Sequence, residues 1–131
     1  MKLLAFSRQW AEEFCNKLNQ NSEYKKLAHD WEYPLILTMK SEVNKSIYLD
    51  LFQGNCKSAS VASEADYDKA EFIISATKET WQKIFDSKLD PITAIMMKKL
   101  LLEKGSMGQL VKYVNAAKEL VNSAKQIDTE F

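Results

Sequence analysis

The amino-acid sequence predicts an α+β fold, with a five-stranded, mostly antiparallel twisted sheet and about five helices packed mainly on one face. Apolar residues recur every three or four positions near both ends of the chain, as on the buried face of a helix. Between residues 35 and 63, apolar and polar residues alternate, which is typical of half-buried strands. Helices that flank a run of strands form a layered α+β arrangement, and 131 residues suit one domain spanning residues 1–131.

Two helices are predicted before the first strand. The first runs from about Leu4 to Asn19, because every fourth position carries a large apolar side chain: Phe6, Trp10, Phe14 and Leu18. Ser22 is suited to cap a second, shorter helix that ends near Trp31. Pro34 cannot continue a helix and favours an extended conformation for the residue before it, so the sheet is expected to begin there.

The first four strands are predicted from alternation and from apolar runs. Alternation suggests strands at residues 35–43, 47–53 and 56–63, with turns at residues 44–45 and 54–55. The charged segment from Glu64 to Lys69 is predicted to be a surface loop. The Phe-Ile-Ile run at residues 72–74 is apolar on both faces, so this strand is expected inside the sheet rather than at its edge.

Two more helices are predicted after the fourth strand. Thr77 can cap a helix that ends near Asp86, with its large apolar side chains facing inward. Asp90 and Pro91 predict the start of a short helix, because an aspartate oxygen can accept a first-turn N–H and proline lacks that N–H. This short helix has almost no polar face.

A fifth strand and a closing helix complete the chain. Residues 99–103 predict the strand, and Ser106 predicts the helix start, with Gln109 as its capping-box partner. The closing helix carries a broad apolar stripe formed by Met107, Leu110, Val111, Val114, Ala117, Val121 and Ala124. A stripe this wide can cover a core or roof a cavity, and periodicity does not distinguish the two.

The segment from Ser87 to Gly108 contains a spaced motif, made of Lys88-Leu89, Pro91, Ala94, Lys99-Leu100, Gly105 and Met107. In this order, these residues resemble the signature of the sterol carrier protein type 2 family, also called non-specific lipid transfer proteins. Two positions depart from the family pattern: Lys98 stands where the family usually has glycine, and the strand is one residue longer before Gly105. The extra residue predicts a β-bulge and leaves open which way Leu100 to Leu102 face.

The resemblance covers about the whole chain and is strongest from Glu71 to Leu120. It implies a sterol-carrier-protein-like fold, in which relatives hold an acyl chain or a sterol between the last helix and the sheet. The candidate ligand-binding residues are apolar side chains expected on the walls of such a tunnel: Trp81, Phe85, Ile95, Met96, Met107, Leu110, Val111 and Val114.

Charge and hydropathy argue against several classes of partner. Eighteen basic and eighteen acidic residues cancel, whereas nucleic-acid binding depends on concentrated positive charge. The same balance argues against docking on anionic membranes through charge alone and leaves at most transient membrane contact. The N-terminal apolar run is too short for a signal peptide before Arg8 and Glu12, and no segment is predicted to span a membrane, so a cytoplasmic location is expected.

The sequence offers few groups for catalysis or metal binding. His29 is the only histidine and stands beside Asp30, where a solvated side chain is expected. Cys15 and Cys56 lack CxxC spacing and are expected to be small buried hydrophobic residues in a reducing compartment. The acidic run from Glu64 to Asp68 lacks the glycine and the spacing of a calcium loop. No enzymatic activity, metal or cofactor is predicted.

Two functions remain open at this point. The first is a non-catalytic intracellular carrier that holds a fatty acid, an acyl-thioester or a similar lipid in an apolar tunnel. The alternative is an interaction or dimerisation domain of the same fold, with a homodimer or enzyme partner and no transferable ligand.

Overall fold

The main sheet has five strands, which a computed structural model describes together with the rest of residues 2–131; residue 1 of the predicted domain lies outside the described residues. The strands are β2 (Leu35–Lys40), β3 (Lys45–Phe52), β4 (Asn55–Val61), β5 (Phe72–Thr77) and β6 (Leu101–Lys104). Their order in the sheet is β4-β3-β2-β5-β6. Only β2 and β5 run parallel, with Leu35 opposite Phe72, and the other neighbours are antiparallel. The predicted, mostly antiparallel sheet is therefore confirmed.

The β5–β6 pair contains the extra residue that the sequence predicts. Ile73 pairs with Lys104 and Ile74 with Leu102, so Glu103 has no partner and forms a bulge. The strand itself begins at Leu101, two residues later than predicted. Leu100 is buried just before it, whereas Leu101 is exposed. β5 lies between β2 and β6, inside the sheet as its apolar run predicts.

Residues 2–131 form seven α-helices rather than about five: α1 (Arg8–Gln20), α2 (Ser22–Leu27), α3 (Glu64–Lys69), α4 (Lys78–Phe85), α5 (Pro91–Met96), α6 (Met107–Lys112) and α7 (Val114–Lys125). The prediction of a charged surface loop from Glu64 to Lys69 is wrong, because these residues form α3. The Asp66 carboxylate accepts the Ser63 N–H at 2.9 Å in a capping box that starts this helix. The prediction of a single closing helix is also wrong, because the non-helical backbone at Tyr113 (φ −109°, ψ 26°) separates α6 from α7.

Three predicted helix starts are confirmed by their caps. The side chains of Thr77, Asp90 and Ser106 each accept a backbone N–H from the first turn of the following helix, at 3.0–3.2 Å. The capping box predicted for Gln109 is not formed. Its side-chain amide instead donates to the hydroxyl of Tyr33 at 2.9 Å, which ties α6 to the segment before β2.

The two ends of the chain are joined by a small parallel pair of strands, β1 (Leu3–Leu4) and β7 (Thr129–Glu130). Because Leu3 and Leu4 are extended, α1 begins at Arg8 rather than near Leu4. Ser7 caps it by accepting the Trp10 N–H at 3.2 Å.

The hydrophobic core lies between the sheet and the helices on one face. Alternate strand residues point to opposite faces, and those on the larger face pack with side chains from α1, α2 and α4 to α7. The other face carries only a small cluster of Ile36, Tyr48 and Ala70 beside α3. This asymmetry confirms helices mainly on one face. No helix within residues 2–131 has the length and hydropathy needed to cross a membrane.

Candidate functional site

A cavity lies between the main sheet and the helices of the larger face. The centre of a water-sized sphere can reach about 80 Å³ of this space. The floor is formed by buried sheet residues: Leu35, Leu37, Leu51 and Ile74. Leu35 and Leu37 are two residues apart on β2, so both side chains point to the same face. The alternation that predicted a half-buried strand therefore also places large apolar side chains beneath the cavity.

The roof is formed mainly by α7, through Ala116, Ala117, Leu120, Val121 and Ala124. Three of these five side chains are alanines. A small side chain reaches less far from the helix axis than leucine or phenylalanine, so this face of α7 leaves room above the sheet. Leu110 lies on α6, shortly before the break at Tyr113. It is 9% exposed and also lines the cavity.

The side of the cavity between α5 and α7 is the less protected one. Ile92 and Ile95 on α5, and Ala117 and Leu120 on α7, line the cavity and are only half-buried. The floor residues, in contrast, are all buried. The cavity is therefore closed by the sheet and has its most accessible side at the α5–α7 boundary.

Two tryptophans in the wall have satisfied ring N–H groups. The Trp81 Nε1–H donates to the backbone oxygen of Thr38 at 2.9 Å, and the Trp31 Nε1–H donates to that of Tyr33 at 2.8 Å. These bonds hold each ring at a fixed angle with its apolar surface toward the cavity. Neither ring N–H is left to bind a ligand.

Two tyrosines in the wall differ in their surroundings. Burial raises the pKa of the Tyr24 phenol well above its ordinary value. Burial also raises the pKa of the half-buried Tyr113, and the negative charge of the nearby Asp30 carboxylate raises it further. Both phenols therefore stay protonated at neutral pH.

Comparison with known proteins identifies the family. The sequence profile described as the SCP-2 sterol transfer family matches residues 12–118. The chain belongs to the SCP-2 sterol transfer family. The resemblance seen in the sequence motif is thereby confirmed, and membership makes the chain a domain of the lipid-binding and lipid-transfer class. No curated protein sequence matched the chain.

Solved structures agree with the family assignment. A crystal structure of sterol carrier protein 2 is 33% identical with a TM-score of 0.86, and the match covers 94% of this chain and 98% of that one. The solution structure of a conserved hypothetical protein from Thermus thermophilus is also 33% identical with a TM-score of 0.86, covering 99% and 94%. A sec-alkylsulfatase from Pseudomonas sp. is 25% identical with a TM-score of 0.55, but the match covers 80% of this chain and only 16% of the sulfatase.

The SCP-2 domain brings four of the eight predicted ligand-binding residues to the cavity wall: Trp81, Phe85, Ile95 and Leu110. The other four, Met96, Met107, Val111 and Val114, do not line it. Met96 is 79% exposed at the end of α5, and Val111 is 62% exposed. Ligand binding at each of the eight positions stays a prediction.

Three of the four outlying residues, those on α6 and α7, have a geometric explanation. Consecutive residues of a helix point about 100° apart, so Val111 faces solvent when its neighbour Leu110 faces the cavity. The break at Tyr113 changes the direction of the chain, so the stripe drawn through Met107, Val111 and Val114 is not one continuous face. Apolar character alone does not distinguish the two sides of such short helices.

The N-terminal part of the cavity wall was not included in the predicted site. Phe14 of α1 lines the cavity, as do Tyr24, Ala28 and Trp31 of α2 and the turn after it. The fourfold spacing of the α1 stripe predicted that Phe14 is buried. No sequence signal showed that this stripe and α2 would meet α7 across one space, because that depends on tertiary packing.

The groups considered for chemistry lie outside the cavity. His29 Nδ1 is 3.6 Å from Asp30 Oδ1, and both side chains are exposed, as predicted for His29. Across residues 2–131, no three His, Cys, Asp or Glu side chains are close enough to hold a metal ion together. The prediction of free cysteines is wrong: Cys15 and Cys56 form a disulfide, with their Cα atoms 5.3 Å apart. Because disulfides persist in oxidising environments, the predicted reducing compartment loses its support.

Proposed function

We propose that this domain is a non-catalytic carrier that holds a fatty acid, an acyl-thioester or a similar apolar ligand between the sheet and the C-terminal helices. The observation that carries the proposal is the apolar wall of the cavity, in which floor and roof are both aliphatic or aromatic. Trp81, Phe85, Ile95 and Leu110 are the proposed ligand contacts. Membership of the SCP-2 family supports the same class of ligand.

The hydrophobic effect supplies enough free energy for such binding. Burial of one methylene contributes about 0.8 kcal/mol, so a chain of about twelve carbons contributes on the order of 10 kcal/mol before losses. Immobilising the ligand and ordering its chain reduce this value, which leaves binding of roughly micromolar strength.

Ligand uptake is proposed to involve movement of α5 or α7. The accessible cavity volume is about 80 Å³, which corresponds to only a few water-sized spheres, so a lipid chain needs additional space. The half-buried side chains of Ile92 and Ile95 on α5, and of Leu120 on α7, support an opening at that boundary. Separation of these two helices would widen the cavity without breaking the sheet.

Transient contact with a lipid surface is part of this proposal. Met96 and Met97 are exposed immediately after the cavity residue Ile95, and Lys98 and Lys99 follow them. Exposed apolar side chains beside lysines suit a surface of anionic lipid. Flotation with anionic vesicles tests this contact, and Met96→Asp is expected to reduce it.

An interaction or dimerisation domain remains the second candidate. It is favoured by one comparison, since a similar fold forms 16% of a larger sec-alkylsulfatase from Pseudomonas sp.. The exposed Met96, Met97 and Val111 would also suit a protein partner. A homodimer or an enzyme partner would then replace the lipid.

The carrier function is tested with paired tryptophan substitutions. Leu110→Trp fills the cavity and is expected to weaken binding of a fluorescent fatty acid at least tenfold. Val111→Trp, one residue further along but exposed, is expected to leave binding unchanged. Native mass spectrometry of the purified wild-type protein is expected to show a bound lipid-sized molecule.

A stable Leu110→Trp protein with wild-type affinity would contradict the carrier proposal. Because a large side chain at a nearly buried position can prevent folding, Ala117→Leu provides a second, milder blockage at a half-buried wall position. An unliganded mass together with no uptake of fluorescent fatty acid by the wild-type protein would favour the interaction domain.

A further inference from the structure

The Cys15–Cys56 disulfide joins the wall of the cavity to its floor. Cys15 directly follows Phe14, an α1 side chain that lines the cavity. Cys56 lies opposite Leu51 of β3 in the antiparallel pairing of β3 with β4, and residues directly opposite in such a pair lie on the same face of the sheet. Because Leu51 is a floor residue, the disulfide lies on the cavity side of the sheet and fixes α1 against it.

The two sulfurs also have hydrogen-bond acceptors available for the reduced state. Cys15 Sγ is 3.2 Å from the backbone oxygen of Cys56, and Cys56 Sγ is 3.5 Å from that of Ser58. A thiol is a weak donor, so each S–H group formed by reduction has an acceptor already in place. The Asn19 side chain makes its two bonds to the Cys56 backbone in either state, both at 2.9 Å. The contact between α1 and β4 therefore does not depend on the disulfide alone.

The disulfide restricts how far α1 can move from the sheet. It holds the Cα atoms of Cys15 and Cys56 5.3 Å apart. The pairing of β3 with β4 is irregular at the same place, because its register shifts between Asp50 and Leu51. Such a bulge interrupts the ladder of backbone hydrogen bonds, so the sheet itself does not hold this part of β4 rigidly. Without the covalent bond, α1 and Phe14 gain freedom to move away from the floor.

We propose that the disulfide is a redox-sensitive clamp on the cavity, and that its reduction speeds the release of a bound lipid. This inference rests on the proposed carrier function and adds regulation to the same cavity. A lipid chain needs more space than the accessible volume of about 80 Å³, so the walls must move during uptake and release. In the oxidised protein, the α5–α7 side opens while the α1 side stays fixed. In the reduced protein, the α1 side opens as well.

Reduction requires a dithiol, which supplies the two electrons and two protons. A thiolate of the dithiol attacks one cysteine sulfur, which forms a mixed disulfide and releases the other cysteine as a thiolate. The second thiol of the reductant then displaces the first cysteine, and the reductant leaves as a cyclic disulfide. Cys15 and Cys56 are only 8% and 4% exposed, so the exchange requires a brief opening of the α1–β4 contact.

The test measures the release of a dansyl-labelled undecanoic acid by stopped-flow dilution from oxidised and from dithiothreitol-reduced wild-type protein. Release from the reduced protein is expected to be at least about fivefold faster, which corresponds to a barrier lower by about 1 kcal/mol. The chain has two cysteines, so dithiothreitol reduces this bond alone. The double variant Cys15→Ser/Cys56→Ser is expected to release at the faster rate with or without dithiothreitol. Equal rates from both redox states of the wild type would overturn the clamp and leave the carrier function standing.

Ile36→Ala is the matched control for a general loss of stability. Ile36 is fully buried in the small cluster on the other face of the sheet and does not line the cavity. Its truncation destabilises the domain without touching the disulfide or the cavity wall, so release is expected at the oxidised wild-type rate. Release accelerated as much as by reduction would overturn the clamp. A reduced wild-type protein that has lost its helical circular dichroism would also overturn it, because the clamp requires a folded dithiol state.

A second measurement needs no variant. If the opening that exposes the disulfide also releases the lipid, the labelled fatty acid at ten times its dissociation constant makes the open state about tenfold rarer. Reduction of the oxidised protein by dithiothreitol is then expected to slow by a similar factor. A reduction rate independent of the fatty acid would overturn the clamp. If neither redox state binds the labelled fatty acid, the carrier function fails and the clamp fails with it.

Discussion

Lys98 adopts a left-handed backbone conformation, with a φ of 59°, directly after α5. Its N–H donates to the oxygen of Ile95 at 3.0 Å, and the next N–H, of Lys99, donates to that of Ala94 at 2.9 Å. This is the usual way in which a helix ends, and glycine favours it because it has no Cβ to clash. Lysine carries a conformational penalty of about 1–2 kcal/mol in this left-handed conformation, which glycine adopts without strain.

Replacement of Lys98 by glycine is expected to raise the free energy of unfolding by about 0.5–1 kcal/mol. The variant no longer has the penalty that lysine carries in the left-handed conformation. Part of this gain is lost because glycine has more conformational freedom in the unfolded chain, so ordering it costs more entropy. Urea denaturation measures it. Lys99→Gly is the control, because it removes the same charge at a position without positive φ. It is expected to lower the free energy of unfolding. An equal loss of stability in both variants would contradict the left-handed penalty at Lys98.

Two adjacent residues on α6 show how far residue-level prediction reaches. Leu110 and Val111 are both apolar and both lay on the predicted stripe, yet one is 9% exposed and the other 62%. Both residues lie within α6, and neighbouring helical residues point about 100° apart, so a stripe that includes two consecutive positions is wider than the buried face. The capping residues Thr77, Asp90 and Ser106 were predictable because a cap depends on a few neighbouring residues.

At the scale of elements, the contact between α1 and the edge strand β4 combines a disulfide with hydrogen bonds. Cys15 on α1 is joined to Cys56 on β4. Asn19, one turn further along α1, accepts the Cys56 N–H and donates to the Cys56 oxygen, both at 2.9 Å. The side chain of Asn19 therefore occupies backbone groups that an edge strand would otherwise expose.

Replacing both cysteines by serine is expected to lower the free energy of unfolding by about 2–4 kcal/mol. The disulfide spans 41 residues, and a loop of this length restricts the unfolded chain considerably. The measurement is denaturation of the wild type with and without a reducing agent, beside the double variant. Reductant is expected to destabilise only the wild type. A wild-type midpoint that does not move on reduction would contradict the expected contribution.

Some elements could be predicted from the sequence, and others could not. The strand at 72–77 was predictable because its two-sided apolar run reflects its place inside the sheet. Alternation located the strand at 35–40 but predicted it to be half-buried, whereas residues on both of its faces are buried because it lies between β3 and β5. The helix α3 was missed because its six residues are mostly polar and bury no side chain, so it has no apolar stripe to detect. Its only sequence signal is the Ser63–Asp66 spacing of the capping box. The Cys15–Cys56 pairing depends on how α1 packs on β4, which no local pattern contains.

At the scale of the whole molecule, ligand binding is expected to stabilise the folded state. A ligand at about 100 times its dissociation constant adds roughly 2.7 kcal/mol. For a domain of this length, the unfolding entropy converts that into a Tm increase of roughly 10 °C. Differential scanning calorimetry with added fatty acid measures the shift, and Leu110→Trp is expected to show a much smaller one. A Tm independent of fatty acid would be inconsistent with the carrier.

The overall architecture was predictable, whereas the cavity was not. The α+β class follows from the order of periodic segments, and the family motif adds the topology. The space itself depends on how far α7 lies from the sheet, and on the meeting of α1, α2 and α5 around it. Side chains of similar hydropathy fill the core near Trp10 and leave a gap beneath α7, so the difference is one of packing geometry.

The parallel pairing of β1 with β7 has a mechanical consequence. Leu3 lies opposite Thr129 and Leu4 opposite Glu130, so the two chain ends leave the pair in opposite directions. A force that pulls the termini apart therefore acts along both strands in shear. The hydrogen bonds from Leu3 to Asp128 and from Ala5 to Glu130, each 2.8 Å, share that load at the same time instead of opening one after the other. If the molecule were stretched between two anchors, this short pair would be the first part to resist.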